Sequence, residues 1–196
     1  MNGDSKAALV AIDFVNELVD PQGKLAGKGY ADFLSRHGTL DRVARLFGRV
    51  REAGLPLIHV RVGFSEDYRE QPAQSPLFGP ARKNGVFTLG AWGTEFHPKA
   101  APLPGETVLV KHRVSAFHGT PLDLVLRNMG VAELLIAGVA TDLAVQSAAR
   151  DAHDRDYRVR VVGDCSGAAT DRDHEDALRL LSKVASVENL DSLKKT

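Results

Sequence analysis

Two charged residues end apolar runs that lie far apart in the chain: Asp13 follows AALVAI and Lys111 follows ETVLV. A third position of chemical interest lies in GVATDLAVQSAARDA, residues 138–152, which reads as a strand ending at Val139 and a helix opening at Thr141-Asp142. In a parallel sheet the carboxyl ends of the strands share one edge, so these three positions can meet in one pocket. A buried carboxylate beside a lysine stays ionised and can take a proton from a neighbouring group. The helix start is where a nucleophile would be presented, yet Ala144 in its first turn offers only a methyl group. Taken alone, Asp13 and Lys111 are equally readable as unrelated polar strand ends.

Whether the three positions converge depends on the elements that carry them. AALVAID (7–13), LPLIHVRV (55–62), ETVLVK (106–111), AELLIAGV (132–139), YRVRVVGD (157–164) and ASVENL (185–190) are short, nearly continuous apolar runs bounded by turn residues. That is the pattern of strands buried on both faces. Between them lie helical patterns. In 39–54 the apolar residues Leu40, Val43, Leu46, Phe47 and Val50 form a stripe that Gly54 closes. Thr120-Pro121 reads as a cap and first position for LDLVLRN, with Gly130 as its stop. Thr170 opens DRDHEDALRLLSKV, with acids in the first turn and a lysine in the last. The alternation predicts one α/β domain over 1–196: three αβα layers around a parallel, Rossmann-like central sheet of about six strands. Residues 16–37 and 63–105 are too long for simple connections and are expected to be pocket walls, lids or subunit contacts.

The 196 residues balance 25 Lys+Arg against 25 Asp+Glu, so no basic excess points to nucleic acid or an anionic membrane. Nor does any apolar run approach a membrane span. A small-molecule substrate suits this balance. The lone cysteine, Cys165, precludes an internal disulfide, and the N-terminal stretch lacks a leader pattern, so a cytoplasmic location is expected. Cys165 follows Asp164 at the end of another strand and reads as a buried structural thiol. No Gly-rich phosphate loop follows any strand, and no organic cofactor is expected.

Four segments carry a family resemblance: ALVAIDFVNEL, VKHRVSAFHGTPLDLVLR, GVATDLAVQSAARDA and VVGDCSGAATDRDHEDALRLL. Together, and in this order, they resemble the isochorismatase-like cysteine hydrolases, which include nicotinamidases, N-carbamoylsarcosine amidases and ureidoacrylate hydrolases. The resemblance implies Asp13 as general base, Lys111 as catalytic lysine and Ala144 at the position of the nucleophilic cysteine. It further implies a cis peptide between Val139 and Ala140, an oxyanion hole from the N–H groups of Ala140 and residue 144, and a homodimer or homotetramer. A cysteine at 144 would be favoured as thiolate by the helix start and the lysine.

Phe14, Trp92 and Phe117 adjoin the motif positions and are candidate substrate contacts, while Arg61 and Arg113 are candidates to receive a substrate carboxylate. No D-x-H or H-x-x-x-H pairing follows the second strand, and the histidines are scattered, so no metal is expected. Three functions stay open. The first is hydrolysis of a small amide, lactam or carbamoyl C–N bond by Asp13, Lys111 and a cysteine nucleophile, a plan that Ala144 disarms. The second is vinyl-ether hydrolysis with Asp13 as an acid and no nucleophile. The third is a non-catalytic binding homologue.

Overall fold

Six apolar runs become six parallel strands: Lys6–Ile12 (β1), Leu57–Val62 (β2), Thr107–Lys111 (β3), Val131–Gly138 (β4), Arg158–Val162 (β5) and Ser186–Glu188 (β6). They form one sheet in the order β3-β2-β1-β4-β5-β6. The computed structural model describes residues 6–193, so the outermost residues of the expected 1–196 span, and with them the start of the stretch read for a leader, lie outside the described residues. The helices are Asn16–Val19 (α1), Tyr30–Arg36 (α2), Thr39–Glu52 (α3), Ala81–Asn84 (α4), Leu122–Asn128 (α5), Gln146–His153 (α6) and Asp171–Leu181 (α7). Among the described residues no helix is long and apolar enough to cross a membrane.

β1 lies at the centre and shows why its sequence is apolar throughout. Leu9 and Ala11 join a core with Phe33 and Leu34 of α2 and with Val43, Leu46, Phe47 and Val50 of α3. Ala8, Val10 and Ile12 join the opposite core with Leu122 and Leu126 of α5, Ala148 and Ala152 of α6, and Leu181 of α7. A strand covered on both sides cannot alternate apolar with polar. Each large apolar side chain on the α3 stripe contributes about 1.5–3 kcal/mol when fully buried.

Element ends differ in detail from the sequence expectation. α5 begins at Leu122, with Pro121 flanking it. The Thr120 hydroxyl donates to Ala116 O at 2.6 Å and accepts from Leu122 N at 3.3 Å, so it closes the preceding turn more than it caps the helix. Thr170 does cap α7, accepting from Asp173 N at 3.1 Å, but the basic residue of the last turn is Arg179 rather than a lysine. The long stretches 16–37 and 63–105 hold α1, α2 and α4.

A polar cluster ties α3 to the β2–β3 edge. The Glu106 carboxylate accepts from Arg51 Nε at 2.7 Å, Arg51 Nη2 at 2.9 Å and Leu103 N at 2.8 Å, and meets buried His59 Nε2 at 2.9 Å. Burial pushes the Glu106 carboxyl up, but the bonds from Arg51, Leu103 and His59 outweigh it and hold the pKa at about 2, against an ordinary 4.5. Because the folded value is depressed, this stabilisation is complete above about pH 4.5 and is lost as pH falls through about 2. Glu106→Gln is therefore expected to flatten the acid limb of a stability–pH curve by about 3 kcal/mol, read from urea melts across that range. An unchanged acid limb would show that the cluster contributes nothing through charge.

Candidate active site

In the strand order β3-β2-β1-β4-β5-β6 the chain's progression reverses between β1 and β4, the place where open α/β sheets hold ligands. Asp13 is the first residue past β1 and adopts φ +59°, a left-handed conformation that Asp tolerates better than most residues. Its N–H donates to Val60 O at 2.8 Å, and its Oδ1 accepts from Val62 N at 2.6 Å. Its Oδ2 lies 2.7 Å from Lys111 Nζ, which also donates to Arg113 O at 3.1 Å. The two residues are 3 % and 1 % exposed, so the pair is isolated from bulk water. Burial pushes the Asp13 carboxyl above its ordinary range, although Lys111 and the Val62 N–H pull the other way. A carboxylate so raised is a stronger base than one on the surface.

Close approach of β1 and β4 brings the 139–144 turn beside this pair. A Cβ on Gly138 would sit 2.5 Å from Ile12 O, so only glycine lets the two strand ends pack this tightly. The Val139–Ala140 peptide is cis. The next residues, Thr141–Val145, form a π-helical turn before α6 begins at Gln146, where the sequence suggested an ordinary helix start. Thr141 N donates to Gly167 O at 2.8 Å, and Ala140 O accepts from Leu143 N at 3.2 Å and Val145 N at 3.1 Å. The Ala140 N–H itself meets no acceptor among the described residues. Ser115, in the loop after β3, donates to Asp151 of α6 and so braces the lysine's loop against the helix that follows the turn.

Asp13, Lys111, Val139, Ala140 and Ala144 all line one cavity of about 390 Å³. Its walls are the two long segments. Leu18, Leu25, Lys28 and Tyr30 come from the first, and Phe78, Asn84, Val86 and Phe87 from the second. Buried Glu17 latches the two together: it accepts from Lys24 N at 2.9 Å and from Phe87 N at 3.4 Å. Lys24 Nζ adds a bond to Gly85 O at 2.5 Å. Glu17→Ala would leave both N–H groups without a partner, at about 1–3 kcal/mol each if they stay buried. The expected result is local opening, seen as faster amide exchange at Lys24 and Phe87 with β1 and β4 still protected. Equal acceleration across the sheet would contradict a local latch.

The isochorismatase domain pattern matches residues 7–191. The chain belongs to the isochorismatase family. It is similar to ureidoacrylate amidohydrolase RutB of Methylobacterium radiotolerans, 30 % identical over 82 % of this chain and 67 % of that protein. In structure it is similar to an isochorismatase family protein from Desulfovibrio vulgaris, with TM-score 0.86, 29 % identity and 96 % of each chain covered. It is also similar to N-carbamoylsarcosine amidase from Thermoplasma acidophilum, with TM-score 0.77, 30 % identity, and 96 % of this chain and 99 % of that one covered.

In this isochorismatase-family chain the four side chains expected to contact substrate lie outside the lining of the cavity. Phe14 is buried edge-on against Phe47, with ring centroids 6.3 Å apart, in the α3 core. Arg61 donates to Thr94 O at 3.0 Å and lies over the Phe96 ring. Val62 lines the cavity, whereas Arg61, one residue earlier on the strand, does not. Trp92 is 45 % exposed on the surface of its loop, and Phe117 packs against Tyr157 and under Arg155. None of the four lines the cavity. Arg113 is spent on Glu70 O and His112 O, and His112 on Gly63 O. Cys165 is fully buried, and burial pushes its thiol far above the ordinary range, with Asp164 adding to the effect. Among the described residues no three His, Cys, Asp or Glu side chains come together as a metal site requires. The sequence reading missed Lys28, Tyr30 and Asn84, although it marked their segments as pocket walls.

Proposed function

We propose that the cavity is the site of a cysteine amidohydrolase for a small amide, lactam or carbamoyl C–N bond, with the nucleophile position held by Ala144. The observation that carries this reading is the buried Asp13–Lys111 pair facing Ala144 across one cavity. With a cysteine at 144, Asp13 accepts the thiol proton and the thiolate attacks the carbonyl carbon. The N–H groups of Ala140 and residue 144 hold the oxyanion, and Asp13 returns the proton to the leaving nitrogen as the C–N bond breaks. Water then cleaves the thioester, releasing the acid and restoring the thiol. Ala144 closes this route at its first step.

The names of the relatives, a ureidoacrylate amidohydrolase and an N-carbamoylsarcosine amidase, support a C–N bond as the target. Vinyl-ether hydrolysis of a dicarboxylate is less well supported, since Arg61 and Arg113, the bases suggested for it, do not line the cavity. The test is Ala144→Cys assayed beside the parent chain on amides, lactams, carbamoyl compounds and isochorismate. Amide turnover by the cysteine form alone supports the proposal, and cleavage of isochorismate by the parent overturns it.

A further inference from the structure

Among the described residues, three charged side chains line the cavity: Asp13, Lys111 and Lys28. The first two neutralise one another at 2.7 Å, so Lys28 carries the remaining charge of the lining, while Asp142 and Asp173, which do not line the cavity, act on Tyr30 beside it. The Lys28 ammonium has no ion-pair or hydrogen-bond partner among the described residues, and the neighbouring Tyr30 hydroxyl and Asn84 side-chain amide have none either. Its place is fixed by the backbone. Gly29 follows at φ +99°, where a Cβ would meet Ala169 O at 2.4 Å, so the segment from Ala26 to Tyr30 is seated tightly against the chain beyond β5. The Glu17 and Lys24 contacts hold its other end to the facing wall. Lys28 is exposed and so lies at the solvent side of the chamber, whereas Asp13, Lys111 and Ala144 are buried.

We infer that Lys28 is a specificity residue that receives an anionic group, such as a carboxylate, on the end of the substrate remote from the bond that is cut. The inference takes from the proposed function the position of the scissile carbonyl beside Ala144. The substrate class is then an acyclic or aromatic amide or ureide carrying one carboxylate, with an apolar spacer against Phe78, Val86 and Phe87. One unpaired cation among the described lining residues suits a monoanion; a dianion would leave its second charge among apolar walls.

The parent chain tests this directly, because Ala144 permits binding without turnover. Affinities are compared, by calorimetry at low salt, for succinamate, glutaramate and 4-carbamoylbenzoate against their methyl esters. The expected result is that at least one acid binds about fivefold more tightly than its ester, the scale of an exposed ion pair. That preference is expected to vanish in Lys28→Met, survive in Lys28→Arg and shrink as salt rises. Equal binding of acids and esters by the parent, equal losses for both in Lys28→Met, or no acid binding at millimolar concentration would each overturn the inference. In an Ala144→Cys background, Lys28→Met should raise KM for the acid more than it lowers kcat. Acid preference without turnover by the cysteine form would sink the amidohydrolase reading alone. Turnover without a Lys28-dependent preference would sink the role of Lys28 alone.

Discussion

Ala144→Cys is expected to turn the chain into an amide hydrolase, with a rate on the order of 10⁴-fold or more above the parent on a substrate that both forms bind. Removing the nucleophile from an enzyme whose catalytic residues act as a unit has an effect of that size or larger, and here the change runs in reverse. Asp13, Lys111 and Ala140 line one cavity with Ala144, and the Ala140 N–H has no acceptor among the described residues, so on the proposed function only the thiol has to be added. The new thiol would stand beside Lys111 in the turn leading into α6, both of which favour thiolate. Its alkylation by iodoacetamide should titrate below the ordinary value of about 8.5 for a free cysteine. Asp13→Asn in the cysteine background should abolish turnover, since among the described residues no other carboxylate lines the cavity to take the thiol proton. A cysteine form that is alkylated normally yet inert on every amide, lactam and carbamoyl compound would argue for a binding protein on this fold.

The reach of the sequence can be traced through individual residues. Asp13 and Lys111 could be placed on one edge because each ends an apolar run and parallel strands share their carboxyl ends, but that left an unrelated pair of strand ends equally readable, and their roles rested on the family resemblance. The turn at 139–144 was legible from its own motif. The walls were not, because stretches 16–37 and 63–105 have neither the helical nor the strand period from which side-chain direction can be read. Adjacency to a motif proved a poor substitute. Phe14 follows Asp13 directly, but the left-handed backbone at Asp13 turns the chain and Phe14 enters the α3 core. Arg61 is drawn off by Thr94 O and the Phe96 ring, contacts that lie in the second long stretch and carry no period. Lys28 carried no sequence signal at all: a lysine among glycines in a loop reads as a solvated surface residue. Only the folding of both long segments over the same strand ends gives it a role.

Lys111→Met is expected to cost about 3–5 kcal/mol of stability near neutral pH, because it leaves the Asp13 carboxylate buried without a counter-ion. The pH dependence separates this cause from lost packing. Burial already pushes the Asp13 carboxyl above its ordinary 3.8, with Lys111 opposing the shift. Without the lysine the folded-state value rises further, so the folded chain retains a proton that the unfolded chain releases. For a group raised in this way, the stabilising contribution is fully present below the unfolded value and is lost as pH rises through the folded one. The penalty of Lys111→Met should therefore be small near about pH 4 and grow toward neutrality, as measured by urea melts of parent and variant at matched pH. The double variant Asp13→Asn with Lys111→Met, which removes both charges, should recover much of the loss, since a buried pair is worth little more than a well-packed neutral replacement. A penalty that is constant with pH, or undiminished in the double variant, would mean that the lysine stem and not its charge holds the strand ends together. If the charge account holds, Asp13 and Lys111 are coupled so that neither can be changed alone without cost to the fold, and the pair can persist in the cavity with only a methyl group at position 144.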